Sequence, residues 1–376
     1  RVEQETIDVN GTTYKREGDT FDTWFSSGQW PYITTDFLEK DGASKYYPLS
    51  VMETGYDILF PWVSRMIMFG LYATDQAPFK EVYLHGLVLD QHGQKMSKSK
   101  GNVVNPMDMI VKHGSDALRL GLVSSRSAGQ NQAFGESRVV TGRNFCNKLW
   151  NIARYIEGVL PEDFVLGNPI PDSIADHWIV NRLNIASESI EKQLKNYRFA
   201  EANEIVYHVI WDDVADWYIE ASKKQTNPQL LGWVLDTALR ISHPFAPFVT
   251  EAIWQTLEWH KNEMLIQSGW PKKIKFDDIA SGEFEQLQKL VIEARYVLSE
   301  LPTKKRHTLL YQSDSLIDDN KILIAWLARL EDVQNTPQPT GLRLAVSNHE
   351  AWLDIDEKTL EEHQSNLETR LAEARE

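Results

Sequence analysis

The 376-residue sequence contains little cysteine and no pair of histidines at a metal-binding spacing. Cys146 is the single cysteine, which excludes an internal disulfide framework and a cysteine-based zinc site. The ten histidines include no HxxxH pair, the spacing that puts two zinc ligands on one face of a helix. One thiol without a metal motif is typical of a reducing compartment, so we expect a cytoplasmic protein with no tightly bound metal.

The sequence also has no surplus of positive charge and no long apolar run. It carries 54 Asp and Glu against 39 Lys and Arg, a formal net charge of −15. Because non-specific binding of nucleic acid depends on an excess of Lys and Arg, this charge balance argues against such binding over the whole surface. A local basic patch is still compatible with it. No run approaches the roughly 20 apolar residues that cross a bilayer, so we expect no membrane association. The chain begins with Arg1 and has no basic-then-apolar leader, and we expect it to be a piece of a longer protein.

The residues from 49 to 90 predict a strand, a buried helix and a second strand. The apolar run that starts at Leu49 ends in Gly55, and the segment from Asp57 to Phe69 is apolar on nearly all sides, with Pro61 in its first turn. A β-rich run follows from Glu81 to Asp90. This order is typical of a doubly wound parallel sheet, whose ligands bind beyond the carboxyl ends of the strands.

The remainder of the chain is mostly helical. Asn105-Pro106 predicts the start of a helix and Gly114 its end, and a period near 3.6 from Ser137 to Trp270 predicts an antiparallel helical bundle. Beyond it, β-rich runs at 307–312 and 341–346 favour a small mixed α+β region. The last stretch, 354–376, fits either a helix that needs a partner helix or a frayed surface helix.

The segment with the clearest chemistry is Gly93–Gly101, called here the lysine loop. Three lysines, at 95, 98 and 100, alternate with small polar residues between two glycines. Such a loop can close over a polyphosphate and neutralise charge on its oxygens. It does not have the GxxxxGK[ST] pattern, and for an arbitrary lysine-rich run a solvated basic loop is the usual interpretation.

The string Lys95–Ser99 is identical to the KMSKS signature of the class I aminoacyl-tRNA synthetases, and its surroundings resemble the valyl-tRNA synthetases. The resemblance covers about residues 18–272 and rests on further motifs in the family's order: Asp22–Gly28, Thr54–Trp62, His85–Asp90, Gly142–Lys148, Asp216–Glu220 and Ser242–Phe248. An isoleucyl-type synthetase fragment and a non-catalytic tRNA-binding module are the alternatives. Isoleucyl enzymes usually carry a Ser-Asp-Gln-His type string where this sequence has Tyr56–Leu59.

The resemblance implies an enzyme that activates valine with ATP, accompanied by Mg²⁺, and transfers it to tRNA(Val). Within this implied site, Lys98 contacts the phosphates with Lys95 in support, while Met96, Ser97 and Ser99 shape the loop. Gly55 allows close backbone approach, Asp57 binds either the ribose hydroxyls or the substrate ammonium, and His85 and Gly86 pack on the adenine. Trp24, Ile58 and Trp62 form walls of the valine pocket. For Trp24, Trp62 and His85, the alternative interpretation is ordinary core packing. For Asp57, the alternative is a helix-capping role.

The resemblance also implies a domain order. We expect the exit of an inserted editing domain (1–17), the second half of a Rossmann-type catalytic domain (18–136), a helical-bundle anticodon-binding domain (137–272), a small α+β region (273–353) and the start of a coiled coil (354–376). No HIGH-like string occurs, so we expect the fragment alone to be inactive. The resemblance separately implies that the intact enzyme is a monomer. Basic residues of the bundle are candidates for tRNA phosphates: Arg138, Arg143, Lys148, Arg154, Arg182 and Arg198.

Overall fold

The computed structural model forms two compact units. It describes residues 5–40, 42, 44–124, 129–260, 263–303, 305–345 and 349–373, without the side chain of Lys98. The first unit comprises Arg1–Val104 and Ser125–Gly135, and the second comprises Asn105–Ser124 and Glu136–Glu376.

The first unit contains short helices and paired strands. Its strands are β1 (Thr6–Val9), β2 (Thr12–Lys15), β3 (Leu49–Gly55), β4 (Phe79–His85), β5 (Val88–Leu89) and β6 (Gln132–Ala133). Its α-helices are α1 (Thr23–Gly28), α2 (Trp30–Thr34) and α3 (Ser64–Thr74). Strands β1 and β2 form an antiparallel hairpin, whereas β3 pairs with β4, and β5 with β6, in parallel.

The predicted strand, helix and strand are present, but the run predicted as one strand from Glu81 to Asp90 is divided into β4, which pairs with β3, and β5, which pairs with β6. The chain leaves β3 through a 3-10 turn (Tyr56–Ile58) and a π-helical turn (Leu59–Val63) before α3 begins. Pro61 lies in this irregular stretch, where its missing N–H removes an α-helical hydrogen bond. The segment packs against the sheet as predicted, through Val63 and Met66, which contact Met52 and Phe79, whereas several other apolar side chains of the segment and of α3 are exposed. Phe60 is 85% exposed and Tyr72 is 92% exposed.

The second unit is mainly helical, with one sheet near its end. Its α-helices are α4 (Pro106–His113), α5 (Ser115–Val123), α6 (Glu136–Val159), α7 (Ile174–Lys195), α8 (Phe199–His208), α9 (Ile219–Ser222), α10 (Pro228–Ser242), α11 (Pro247–Leu257), α12 (Asp278–Glu300), α13 (Ser315–Asp319), α14 (Lys321–Ala328) and α15 (Glu357–Glu373). A π-helical stretch, Val209–Tyr218, joins α8 to α9, and a 3-10 turn occupies Leu265–Gln267. The strands are β7 (Thr308–Tyr311), β8 (Asp332–Asn335), β9 (Leu342–Arg343) and β10 (Ala351–Leu353).

One continuous apolar core joins the helices of the second unit to its sheet. The strand order is β8-β7-β10-β9, with β7 and β8 parallel and β10 antiparallel to its neighbours. Leu309, Tyr311 and Leu353 on the sheet are fully buried in the core that also contains Leu183 of α7 and Phe284 of α12. The predicted mixed α+β region is therefore confirmed in this part of the chain, although Val346, at the end of the second predicted β-rich run, lies outside the described residues.

Local capping explains where several helices begin and end. The Asn105 side chain accepts the N–H of Met107 at the start of α4, and Gly114, at φ 93°, separates α4 from α5. Ser173 and Asp176 form a capping box at the start of α7. The helix start predicted at Asn105 and the end predicted at Gly114 are confirmed.

The last described helix, α15, is largely exposed. Leu367 and Leu371 are exposed along it, and both interpretations of this stretch, a helix that needs a partner helix and a surface helix, stay open. Across the described ranges, none of the helices combines the length and the apolar character that a membrane span requires.

Candidate functional site

The carboxyl ends of β3 and β4 meet, as parallel pairing requires. Gly55 is the register partner of His85. A Cβ atom added at Gly55 would lie 2.8 Å from Oδ1 of Asp57 and 3.6 Å from Cε1 of His85. The structure therefore brings Gly55, Asp57 and His85 together at one edge of the sheet. A residue with a side chain at position 55 would displace the Asp57 carboxylate, so the present arrangement requires glycine there.

His85 and Gly86 take different roles in the local packing. The His85 ring lies 3.2 Å from Glu53 through Nε2, and its Nδ1 lies 2.8 Å from the Gly86 carbonyl oxygen. A Cβ atom at Gly86 would fall 1.9 Å from the backbone oxygen of Gln130. The Leu87 N–H donates to Oδ1 of Asn131 at 2.8 Å. Gly86 is thus required by a close backbone approach, while the imidazole stays partly exposed.

The three residues predicted for a pocket, Trp24, Ile58 and Trp62, are half-buried. The Asp22 side chain caps α1 by accepting the N–H of Trp24 at 2.8 Å. The Trp62 indole donates to the Ser27 carbonyl oxygen at 3.0 Å, which ties the π-helical turn to α1. Trp24 and Trp62 therefore belong to two elements joined by this hydrogen bond, and Ile58 ends the 3-10 turn that precedes the π-helical turn.

The lysine loop follows β5 directly. Lys95 forms an antiparallel bridge with Leu89, and its side chain is exposed. Met96 and Ser97 are half-buried, and the Ser97 and Ser99 hydroxyls lie 3.2 Å apart. The backbone of Lys98 begins a 3-10 turn, but its side chain, the one predicted to contact phosphates, lies outside the described residues.

Two residues that the sequence reasoning did not single out hold both ends of the lysine loop. Asp90 accepts the N–H groups of His92 and Gln94 through Oδ1, at 2.9 and 2.8 Å, and the Asn102 amide through Oδ2 at 2.8 Å. Asn102 in turn accepts the Ser97 N–H at 3.0 Å. We call this set of bonds the Asp90–Asn102 clasp. The signal available in sequence is an Asp before a glycine turn, which is typical of a side chain that caps backbone N–H groups.

The Asp90–Asn102 clasp stabilises a negative charge. The Asn102 amide and then the Gln94 N–H lower the pKa of Asp90 from its ordinary value, because both bonds favour the carboxylate. Asp90 is therefore ionised at neutral pH. Its three hydrogen bonds fix the base of the lysine loop, from which the exposed Lys95 and Lys100 side chains extend.

In the second unit, residues of the family motifs mainly form hydrogen bonds and contacts that hold its helices together. Asp116 accepts the N–H groups of Phe248 and Val249 at 3.2 and 2.6 Å, at the first turn of α11. The Tyr218 hydroxyl donates to Asp176 at 2.9 Å in the core. Burial raises the pKa of the Cys146 thiol to about 12, so this side chain is protonated and unreactive at neutral pH.

Within the described residues, no group of three or more His, Cys, Asp or Glu side chains could hold a metal ion. The cationic groups around the lysine loop are instead suited to an anionic ligand. A polyphosphate is the anion that several closely spaced lysines neutralise best.

Comparisons with known proteins match two parts of the chain to protein families. Residues 1–134 match the family of tRNA synthetases class I (I, L, M and V), and residues 176–310 match the anticodon-binding domain of tRNA ligase. A valine–tRNA ligase of Streptomyces coelicolor is 43% identical over 365 residues, which cover 92% of this chain and 41% of the relative. A valine–tRNA ligase of Anoxybacillus flavithermus is 44% identical over 275 residues, which cover 69% of this chain and 31% of the relative.

Solved structures give the same fold. LeuRS of Agrobacterium radiobacter K84, in a ternary complex with tRNA and LeuAMS, has a TM-score of 0.58 at 17% identity, covering 82% of this chain and 37% of its own. Methionyl-tRNA synthetase of Mycobacterium tuberculosis, with methionyl-adenylate, has a TM-score of 0.54 at 21% identity, covering 65% and 51%. The chain thus spans less than half the length of the curated relatives named above. With a class I synthetase region, an anticodon-binding domain and valine–tRNA ligases as homologues, the chain belongs to the class I tRNA synthetases.

Proposed function

We propose that this chain is part of a valine–tRNA ligase that activates valine with ATP and transfers it to tRNA(Val). The observation that carries this proposal is the 43% identity to a valine–tRNA ligase over 365 residues, a span that includes both the lysine loop and most of the helical unit. The ligands of the two solved neighbours, an adenylate or its analogue and, in one of them, tRNA, support ligands of the same classes here.

The proposed reaction has two steps. A carboxylate oxygen of valine attacks the α-phosphorus of ATP, the bond to the β-phosphate breaks, and pyrophosphate leaves. A hydroxyl of the terminal ribose of tRNA(Val) then attacks the carbonyl carbon of the adenylate, and AMP leaves. Mg²⁺ enters with ATP as part of the substrate. Because no protein nucleophile is needed, the protein contributes positioning and charge neutralisation.

The lysine loop would bind the triphosphate. We assign Lys98 to the phosphates and the transition state, with Lys95 in support and Met96, Ser97 and Ser99 shaping the loop. The exposed Lys95 side chain and the constrained base of the loop support this assignment, because a loop held at both ends can move its lysines without unfolding.

The edge of the sheet would hold the nucleoside and the amino acid. We assign Gly55 to close approach, Asp57 to the ribose hydroxyls or the substrate ammonium, and His85 with Gly86 to the adenine. The shared edge supports this assignment, since ligands of such sheets bind beyond the carboxyl ends of the strands.

The valine side chain would lie against Trp24, Ile58 and Trp62. All three are half-buried, so part of each remains open to a ligand. Two rigid indoles and a branched aliphatic side chain limit the size of what can enter, which suits a small branched amino acid.

We further propose the domain order given by the sequence: an editing-domain exit (1–17), half of a Rossmann-type domain (18–136), an anticodon-binding domain (137–272), an α+β region (273–353) and the start of a coiled coil (354–376). The hairpin of β1 and β2, and the length of α15, are compatible with the first and last assignments. We expect the complete enzyme to act as a monomer in the cytoplasm, where its tRNA substrate is used.

Pyrophosphate exchange tests the activity. A longer protein that also contains the part of the relatives' length outside this chain should show valine-dependent exchange. Lys98→Ala should lower the exchange rate on the order of 100-fold, because one charge-stabilising group is lost. Lys80→Ala, which removes an exposed lysine on β4, is the matched control and should leave the rate unchanged. Exchange driven by isoleucine, or full activity in Lys98→Ala, would contradict the assignment.

Two further measurements separate the alternatives. This chain alone should show no valine-dependent exchange, since its sequence has no HIGH-like string. It should nevertheless bind tRNA(Val) more tightly than the same tRNA with an exchanged anticodon, at one stated salt concentration. A non-catalytic tRNA-binding module would bind tRNA in the same way, but the longer protein would then give no exchange.

A further inference from the structure

The Asp90–Asn102 clasp joins the two ends of the lysine loop. Asp90 directly follows β5, and Asn102 directly follows Gly101, so the whole loop lies between the two side chains. The Asn102 amide donates to Oδ2 of Asp90 at 2.8 Å. Because closing a loop removes conformational freedom from the residues between its ends, this bond limits the positions that the lysine backbone can reach.

The hydrogen bonds of the clasp can run in one direction only. The Ser97 N–H can only donate, and the Asp90 carboxylate can only accept. The Asn102 side chain lies between them, so its oxygen must accept from Ser97, at 3.0 Å, and its amide must donate to Asp90. An amide turned the other way would place a donor against a donor and an acceptor against an acceptor.

One end of the clasp holds the peptide that precedes Lys98. Asn102 accepts the Ser97 N–H, and the Ser97 carbonyl oxygen accepts the Lys100 N–H at 3.2 Å. Ser97 is therefore held on both sides just where the 3-10 turn begins at Lys98. Since bond lengths along the backbone are fixed, the placement of Ser97 sets the starting point of the next side chain.

The other end of the clasp holds the turn that opens the loop. Oδ1 of Asp90 accepts the N–H groups of His92 and Gln94, and the Asp90 N–H donates to the Gln94 carbonyl oxygen at 2.8 Å. Asp90 is only 8% exposed, so water competes weakly for these bonds. The carboxylate is thus the fixed point from which the loop departs.

We propose that Asp90 and Asn102 are positioning residues for the activation of valine, and that they act on the triphosphate only through the backbone of the lysine loop. This inference rests on the proposed function, in which Lys98 contacts the phosphates. The polar atoms of both side chains are engaged by the loop and by each other, so they are not offered to a substrate. Their contribution is to keep the Lys98 backbone where the transition state requires it, since a small misplacement of a charged group costs much of its effect.

This role belongs to one of the two steps of the proposed reaction. The lysine loop neutralises charge on phosphates that leave as pyrophosphate when the adenylate forms. Those phosphates are absent when tRNA attacks the adenylate. A loss of positioning therefore slows activation and leaves the transfer step unchanged, whereas a general loss of folding would slow both.

The test measures valine-dependent pyrophosphate exchange by the longer protein. Asp90→Asn keeps an acceptor for the Gln94 N–H but places a second amide opposite the Asn102 amide. Asn102→Asp places a second carboxylate opposite the Asp90 carboxylate. Each single substitution should lower kcat/KM for ATP on the order of 10–100-fold, while KM for valine stays unchanged.

The decisive variant combines Asp90→Asn with Asn102→Asp. The new amide at position 90 donates to the new carboxylate at position 102, which accepts the Ser97 N–H as before, and the total charge is unchanged. The swap loses only the long bond, 3.4 Å, from the Asn102 amide to the Lys95 carbonyl oxygen. Exchange should therefore recover to within about threefold of the unaltered rate.

A matched control and a second readout separate positioning from folding. Asp108 also accepts an asparagine amide, from Asn105 at 3.0 Å, but it is exposed and lies outside the lysine loop. Asp108→Asn should therefore leave exchange unchanged. Single-turnover transfer of valine to tRNA from supplied valyl-adenylate should proceed at the unaltered rate in every clasp variant.

Each outcome decides the inference. If the single variants exchange at the unaltered rate while Lys98→Ala slows exchange, the inference is wrong and the proposed function stands. If the swap stays as slow as the single variants, or if the clasp variants also slow transfer, Asp90 and Asn102 do not position the loop for activation and the inference is overturned. If the unaltered longer protein gives no valine-dependent exchange, the proposed function fails and the inference fails with it.

Discussion

At the scale of single residues, the lysine loop depends on two short polar side chains. Asp90 and Asn102 together hold the backbone of the loop at Gln94 and Ser97. A glycine at each boundary, Gly93 at φ 77° and Gly101 at φ 65°, lets the chain turn sharply on both sides of the lysines. The loop is therefore held at its base, while the side chains of Lys95 and Lys100 are exposed.

We expect Asp90→Ala to release the base of the loop. The N–H groups of Gln94 and Ser97 should then exchange with solvent faster, on the order of tenfold, because their partners are lost or displaced. Hydrogen exchange followed by NMR measures this change. His92→Ala is the control, since that side chain is exposed on the same turn and holds no loop backbone. Unchanged exchange in Asp90→Ala would show that the clasp does not order the loop.

The same exchange measurement should depend on pH in one direction. The pKa of Asp90 is lowered in the folded chain, so its contribution is fully present above the unfolded value of about 3.9. This contribution to stability is lost as the pH falls through the lower pKa that Asp90 has in the folded chain. Protection at Ser97 should therefore be constant from neutral pH down to about 4 and decline only below it. A decline near pH 6 would implicate a histidine instead.

At the scale of secondary-structure elements, α5 and α6 cross with their backbones nearly in contact. A Cβ atom at Gly142 would lie 2.6 Å from the Ala117 carbonyl oxygen, and one at Gly121 would lie 3.1 Å from the Val139 nitrogen. Gly142 belongs to a motif that carried the family resemblance in the sequence. The structure supplies a physical reason for this glycine, which is close helix packing.

Two glycines of α6 give a matched pair of substitutions. Gly142→Ala should lower the free energy of unfolding by about 1–3 kcal/mol, because the added methyl overlaps backbone atoms that cannot move alone. Gly158→Ala, with nothing within 4 Å of the new methyl, should raise it by about 0.5–1 kcal/mol through helix propensity. Urea unfolding followed by circular dichroism measures both. Equal effects would mean that the crossing is not tight.

At the scale of the whole molecule, the two units differ in the size of their buried apolar cores. The first unit has small clusters, such as the one around Met52, Val63, Met66 and Phe79. The second has one continuous core that runs from the bundle into the sheet. Because stability rises with buried apolar area, the first unit should be the weaker of the two.

We therefore expect two unfolding transitions in urea. Limited proteolysis below the first transition should cut within 5–104 and leave most of 136–373 resistant. In Gly142→Ala, the second transition should move to lower urea while the first stays in place, since that glycine lies in the second unit. A single transition that moves as a whole would contradict independent stabilities.

Local chemistry made much of the fold predictable from the sequence. The start of α4 at Asn105, the break at Gly114 and the strands around residues 52 and 83 follow from residues next to one another. Parallel strands were expected to bring their carboxyl ends to one edge, but the second strand was expected to end at Asp90, whereas β4 ends at His85, which is therefore the residue that meets Gly55. The π-helical turn at Leu59–Val63 and the exposed face of α3 did not, since an apolar run alone cannot say which side meets the sheet.

The sequence by itself determined the position of the lysine loop, the order of the secondary-structure elements and the family membership, because each of these follows from short local sequence patterns. Only the tertiary structure decided which distant groups meet. It placed Gly86 against Gln130, and it gathered Lys224, Arg295 and Arg329 in one cleft. The reason is physical: a local pattern records backbone preference and burial, whereas a contact between remote segments depends on how the whole core packs.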